Sequence, residues 1–159
     1  MLEVRVAENE ADRGAAFAVR REVFVEEQGV DEALEYDDHD SEATHLVAVD
    51  GDEAIGAARL RRLTDVADLE APEAIDTDGA GDIGKVERVA VRRSRRGEGV
   101  GQALMDTAEM RAESRGLGLL VLHAQTRVVG FYREHGYEQV GDEFEEAGIP
   151  HVEMRKRLQ

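Results

Sequence analysis

The sequence contains no cysteine and no tryptophan, only two prolines, and 4% aromatic residues. Without cysteine there can be no disulfide, no thiolate metal site and no cysteine nucleophile. No stretch reaches the ~18 consecutive apolar residues of a membrane-spanning helix. The opening Met-Leu-Glu-Val-Arg-Val lacks the apolar core of a signal peptide. A cytoplasmic protein that does not enter membranes is the expectation. Lysine is almost absent too: Lys85 and Lys156 are the only two, and arginine supplies the remaining basic charge.

What the chain has in excess is acid. Thirty-six Asp and Glu against 20 Lys and Arg leave a formal charge of −16. Phosphate backbones would be repelled, so a general nucleic-acid partner is excluded. Acid-rich, lysine-poor composition resembles adaptation to a very salty, halophilic cytoplasm. High charge with few apolar residues can also signal disorder, but periodic apolar runs along most of the chain argue for a folded domain.

At 159 residues the chain fits one domain, 1–159. Leu2, Val4 and Val6 alternate as a strand. Asn9 suits the N-cap of a helix over Glu10 to Gln28, with Gly29 just past its end. Asp31 to Glu42 reads as an acidic loop. Thr44 to Val49, the turn Asp50-Gly51 and Glu53 to Leu63 read as a hairpin. Thr64 to Asp82 reads as a long acidic connection. Ile83 to Val91 is a strand, Gly101 to Arg115 a helix, Leu119 to Ala124 a buried strand, and Val128 to His135 a helix stopped by Gly136. Tyr137 to Val140 and His151 to Arg157 close the chain as strands, joined by a loop over Gly141 to Pro150. The order β-α-β-β-β-α-β-α-β-β predicts an α/β or α+β domain built on one sheet.

Between the strand ending at Val91 and the following helix lies Arg96-Gly97-Glu98-Gly99-Val100-Gly101. The first turn of a helix has unpaired N–H groups and partial positive charge. Glycines let that backbone approach a bulky anion. Arg92, Arg93, Arg95 and Arg96 would add mobile positive charge. A tight strand-to-helix turn with no ligand is the plainer reading. The spacing argues against two nucleotide motifs. A dinucleotide fingerprint needs glycine where Gln102 stands, and no Walker-type Gly-Lys follows.

The loop resembles the acyl-CoA loop [RQ]-x-x-G-x-[GA] of the GNAT superfamily of N-acetyltransferases. Gln125, Val128, Phe131-Tyr132 and Gly136-Tyr137 are similar to that family's N-x-x-A-x-x-F-Y-x-x-x-G-F, with Gln for Asn and Val for Ala. Arg21 to Gln28, Asp37 to His45, His123-Ala124-Gln125 and Gly141 to His151 resemble the ElaA-like branch. The resemblance implies the GNAT fold, a single mixed central β-sheet of six to seven strands flanked by helices. It implies acetyl-CoA as cosubstrate, no metal, and transfer of an acetyl group to a primary amine by direct attack in a ternary complex. The acceptor would be a small molecule or peptide, and a homodimer is compatible with the resemblance. A non-catalytic acyl-CoA binding or sensing module on the same fold is the alternative.

By the same resemblance, Val89, Ala90 and Val91 would pair with the pantetheine arm, with the Val89 N–H polarising the thioester carbonyl. Arg96, Gly97, Glu98, Gly99, Val100 and Gly101 would seat the diphosphate, with Gln125 and Phe131 nearby. Tyr132 matches the residue that protonates the CoA thiolate; otherwise it is a core ring. Glu87 is a candidate base, if burial raises its pKa, or an ion-pair partner of Arg88 or Arg59. His123, at the end of the next strand, is the other candidate base or a structural histidine. His45 and His151 are weaker candidates. Asp37, Asp38, His39 and Asp40 lack the spacing of a calcium loop and read as solvated acid.

Overall fold

The computed structural model describes residues 1–63 and 82–158. The long connection expected over Thr64 to Asp82 falls, apart from Asp82, outside the described residues. Seven strands are seen: β1 (Leu2–Val6), β2 (Thr44–Asp50), β3 (Glu53–Arg62), β4 (Asp82–Val91), β5 (Leu117–Gln125), β6 (Glu138–Glu146) and β7 (Ile149–Arg157). The helices are α1 (Glu10–Arg20), α2 (Glu32–Glu35), α3 (Val100–Ser114) and α4 (Val129–Glu134). The strands form one mixed sheet in the order β1-β2-β3-β4-β5-β7-β6, as the element order predicts. The chain divides into two compact units, one of residues 1–61 and 86–110, the other of residues 62–85 and 111–159.

In the first unit, β1 and β2 run antiparallel, with Val4 opposite Ala48. β2 and β3 form the expected hairpin, with Asp50 opposite Glu53 and Gly51 in the left-handed region at φ 64°. Asn9 caps α1: its side-chain oxygen accepts from the Asp12 N–H at 2.7 Å. The single helix expected to Gln28 changes form, because Arg21–Glu27 widens into a π-helix. Its five-residue bonds are marked by Gln28 N–H to Val23 O at 3.1 Å. The apolar stripe still points inward, with Ala16, Val19 and Val23 buried against Val47, Val49, Ala57 and Ala90.

The acidic stretch 31–42 is not a solvated loop. It folds into α2 and a 3₁₀ turn over Asp38–Ser41, which Asp37 caps. Three of its acids, Glu35, Asp37 and Asp40, are drawn inward by arginines, while Asp31, Glu32, Asp38 and Glu42 stay exposed. Glu35 is 3% exposed and accepts from Arg20 Nε at 2.8 Å. Asp37 and Asp40 accept from Arg59 Nη1 at 2.6 and 2.9 Å. Buried guanidinium groups need acceptors, and this stretch provides them.

In the second unit, β7 runs antiparallel to both β5 and β6. The loop expected over Gly141 to Pro150 is instead a hairpin, with β6 running on to Glu146. Ala147 and Gly148 make its two-residue turn, both left-handed at φ 52° and 75°. Alanine is unusual at such a position, which hid the turn. A bulge between Val140 and Phe144, with Gly141 at φ 75°, interrupts the pairing once. Ile83, Leu119 and Val121 form an apolar cluster on this side, with Leu63 against it.

Candidate active site

The first unit holds Glu87, Val89–Val91 and the loop Arg96–Gly101. β4 is not a regular ribbon. Arg88 adopts φ 56°, a left-handed conformation rare outside glycine. The pleat breaks there, so two-residue spacing cannot by itself put Glu87 and Val89 on one face. Ala90 is buried, while Val89 and Val91 are half-buried. The chain leaves β4 through a 3₁₀ turn, Arg93–Arg95. Gly97 and Gly99 follow at φ 83° and 85°, with nothing within 4 Å of where a Cβ would stand. Glycine is needed there for conformation, and the surrounding space is open to a ligand.

The first bond that closes α3 runs from Ala103 N–H to Gly99 O at 3.1 Å. The amides of Val100, Gly101 and Gln102 come before it and have no partner within the helix. Together with the two left-handed glycines they form a donor-rich concavity suited to a diphosphate. Gly56, on β3, seats this helix start. A Cβ at Gly56 would lie 2.9 Å from Val100 Cγ1 and 3.2 Å from Ala90 O. No periodic pattern marked Gly56; its position in a strand that otherwise buries side chains was the only hint.

The arginines of this loop are not mobile charges. Arg92 forms a two-pronged pair with Glu22, both bonds 2.9 Å. Arg96 does the same with Glu27 at 2.7 Å, and its Nε donates to Val91 O at 3.0 Å. Arg95 meets Asp50, Glu53 and Glu98 at 2.5, 2.8 and 3.0 Å. Among the described residues only Arg93 of the four has no carboxylate partner. In a chain this acidic, arginine attracts carboxylates first.

Glu87 is an ion-pair partner. Its Oε1 accepts from Arg59 Nη2 at 2.8 Å and from Arg61 Nε at 2.7 Å. Arg88, the other partner expected for it, turns to Glu35 and Asp37, 3.1 and 3.3 Å away.

The second unit holds His123, Gln125, Phe131 and Tyr132. Tyr132 is 8% exposed, edge-on to Phe131 and Tyr137 at ring-centre distances of 5.0 and 6.1 Å. Burial alone raises its pKa far above that of an ordinary phenol. The ring therefore stays protonated at neutral pH, as a proton donor must. Gln125 closes β5 opposite His151, and its Oε1 accepts from Arg127 Nε at 2.9 Å.

His123 lies between two carboxylates. Its Nδ1 is 3.0 Å from Glu146 Oε1, and its Nε2 is 3.1 Å from Glu153 Oε1. Burial lowers the imidazole pKa, but the hydrogen bonds to Glu146 and Glu153 outweigh it, so the net shift is upward. Glu146 moves the other way: burial raises it, but the bond and charge of His123 bring it below its ordinary value. Phe144 packs edge-on to the His123 ring, 4.9 Å between centres.

Comparison with known proteins identifies the family. The profile described as an acetyltransferase (GNAT) domain matches residues 6–158. The chain belongs to the GNAT acetyltransferase family. A Bacillus subtilis relative named as the uncharacterized N-acetyltransferase YjcF is 40% identical to this GNAT chain, covering 95% of it and 96% of the relative. Escherichia coli ElaA is 32% identical, over 91% of this chain and 86% of that one. The crystal structure of ElaA superimposes with a TM-score of 0.75 at 28% identity, covering 98% and 99% of the two chains. A crystal structure from Lactobacillus plantarum reaches 0.82 at 29% identity, covering 99% of each.

Sequence reasoning missed Glu146 and Glu153 in this GNAT chain. Both flank the hairpin turn that was read as part of a loop. The alternation Phe144, Glu146 on β6 was the available signal, and it becomes informative only once Ala147-Gly148 is known to turn the chain. Among the described residues no group of three or more His, Asp or Glu could hold a metal ion, and no helix is long and apolar enough to cross a membrane.

Proposed function

We propose that this chain moves an acetyl group from acetyl-CoA to a primary amine, without a covalent enzyme intermediate. The observation that carries this reading is the left-handed pair Gly97 and Gly99 ahead of α3, which opens the amides at 97–102 toward an anion. Those amides suit the diphosphate of acetyl-CoA. The main chain of Val89, Ala90 and Val91 suits the amide groups of its pantetheine arm, as an added strand. When bound, acetyl-CoA supplies an activated acyl carbon.

The reaction then needs a polarised carbonyl, a proton acceptor for the amine and a proton donor for the leaving thiolate. Val89 N–H takes the first role and Tyr132 the third. The low exposure of Tyr132 supports its role, since a buried neutral phenol meets a developing thiolate without competing water. Of the two candidate bases, His123 is favoured. The Glu87 oxygen turned toward Arg59 and Arg61 already accepts two charge-assisted hydrogen bonds. His123 carries a proton acceptor whose basicity two carboxylates raise. Gln125 and Phe131 line the pantetheine side.

The acceptor is a small-molecule or peptide amine, and the enzyme works in the cytoplasm at high salt. The test has two arms. Calorimetry with acetyl-CoA reads binding, expected in the micromolar range. Release of CoA over a panel of primary amines, at low and at molar KCl, reads transfer. Binding without release over the whole panel would instead make the chain an acyl-CoA sensing module. No binding in any salt that keeps it folded would end both readings.

A further inference from the structure

The surroundings of His123 specify more than a base. Glu153 is fully buried on β7, and its Oε2 accepts from Arg155 Nε at 3.1 Å. That is a charge-assisted hydrogen bond to the carboxylate. Its Oε1, 3.1 Å from His123 Nε2, calls for a hydrogen on that nitrogen, since a bare ring lone pair there would face the lone pairs of a carboxylate oxygen. That requirement fixes the ring: Nε2 carries a hydrogen in both the neutral and the cationic form. The charge change of His123 is confined to Nδ1.

Nδ1 faces Glu146 Oε1 at 3.0 Å. With His123 protonated this is a good ion pair. With His123 neutral, a lone pair faces a carboxylate and nothing donates between them. Beside the cationic ring Glu146 is held ionised by the bond and charge of His123; when the ring is neutral, exposure to solvent and the charge of Lys85 still favour the carboxylate. Its side chain is 44% exposed, against 6% for His123, so solvent reaches the pair from the Glu146 side. The other groups facing it are Lys85 and His151. The charge of Lys85 opposes protonation of His123. His151 Nε2 lies 3.8 Å from Glu146 Oε2, and its Nδ1 donates to Ile149 O at 2.7 Å.

The geometry points to a site for the acceptor's primary ammonium, shared between Glu146 and the Nδ1 edge of His123, with Glu153 as the positioning residue that fixes the tautomer. This rests on the transferase reading above. An ammonium group brings three donors and one positive charge, enough to satisfy both acceptors at once. It also explains why a half-exposed carboxylate stands beside a buried histidine rather than a second buried one.

The protons balance. The ammonium gives one proton to His123 Nδ1, which makes the ring an imidazolium between its two carboxylates. The neutral amine's lone pair then forms the C–N bond to the acetyl carbon, and the C–S bond breaks. The thiolate takes the proton of Tyr132, and the second proton shed by the new amide nitrogen restores it. The proton on His123 leaves to solvent past Glu146.

Two measurements separate this site from the transferase reading. The first needs no turnover. Methylammonium chloride is titrated into histidine-labelled protein at pH 9 and followed by NMR, with the His123 signal assigned by its loss in His123→Gln. The His123 resonances should shift saturably in the wild type and not in Glu146→Gln, with sodium chloride as the ionic-strength control. The second is kinetic, with n-butylamine and 1,4-diaminobutane as acceptors. Glu146→Gln should raise the amine KM at least 10-fold and leave acetyl-CoA affinity by calorimetry unchanged. Glu153→Gln should displace the pH profile of kcat/KM toward lower pH, which a purely structural loss would not do. A wild-type His123 indifferent to methylammonium, or a Glu146→Gln that titrates like the wild type, overturns the ammonium site. If wild-type protein binds methylammonium but takes up no acetyl-CoA, the transferase reading fails and the cation site stands.

Discussion

Two regions of this protein place cations between carboxylates, and they do opposite things. In the first unit, Arg20 and Arg59, each 1% exposed, are held by Glu35, Asp37, Asp40 and Glu87. In the second, His123 is held by Glu146 and Glu153. Guanidinium does not lose its proton in proteins, so the first arrangement is fixed charge and acts as scaffold. Imidazole loses its proton near neutrality, so the second can accept one and give it up. The same packing motif is structural or chemical according to the pKa of the cation at its centre.

The largest effect should come from breaking the fixed region. Arg59→Ala leaves Asp37, Asp40 and Glu87 without their shared partner. Breaking a buried pair from one side costs about 3–5 kcal/mol, which urea unfolding would read as a lower midpoint. A loss under about 1 kcal/mol would mean the network behaves like surface pairs.

Next comes the chemistry of the second unit. Tyr132→Phe keeps the ring packing against Phe131 and Tyr137 and removes the proton. Turnover should fall by about 100-fold or more, with acetyl-CoA affinity retained. Equal losses in both would assign Tyr132 to binding or packing alone.

Smaller is the cost at the loop. Gly99→Ala forces a side chain into a left-handed backbone, at about 1–2 kcal/mol. Acetyl-CoA affinity should drop by roughly 10-fold, with little change in Arg59-dependent stability. Unchanged affinity would show that the glycine serves only the turn.

The smallest effect separates the regions by pH. Burial raises Asp37 and Asp40, but hydrogen bonds from Arg59 and Arg20 outweigh it and bring both below the usual 3.8. Their contribution is present above that value and fades as pH falls through the folded-state pKa. His123 has the reverse sign. Its folded pKa lies above 6.5, so its contribution is whole below 6.5 and is lost as pH rises through the folded value. Thermal melts should therefore show an acid limb in both wild type and His123→Gln. A loss of stability as pH rises above 6.5 and through the folded-state pKa should appear in the wild type alone. An alkaline limb that survives in His123→Gln would detach it from this cluster.

Much of this was legible in the sequence. The glycine spacing, the Asn9 cap and the Asp50-Gly51 hairpin are local, and each depends on residues within a few positions. Tyr132 was singled out as a candidate proton donor by its place in a motif. Of three misreadings, two share a cause and the third has its own. The acidic stretch 31–42 looked solvated because the arginines that bury it lie far along the chain. The arginines at 92–96 looked free because Glu22, Glu27, Asp50 and Glu53 are equally distant. The hairpin at 147–148 looked like a loop because alanine at a left-handed position carries no signature.

By itself the sequence determined most of the strands, the longer helices and the family they assemble into, since backbone geometry and hydrophobic period are written in neighbouring residues. Only the tertiary structure decided which charges meet. A carboxylate's role depends on the cation within about 3 Å of it, and that cation comes from another part of the chain, so Glu87 became a scaffold partner while the unnoticed Glu146 and Glu153 closed around His123.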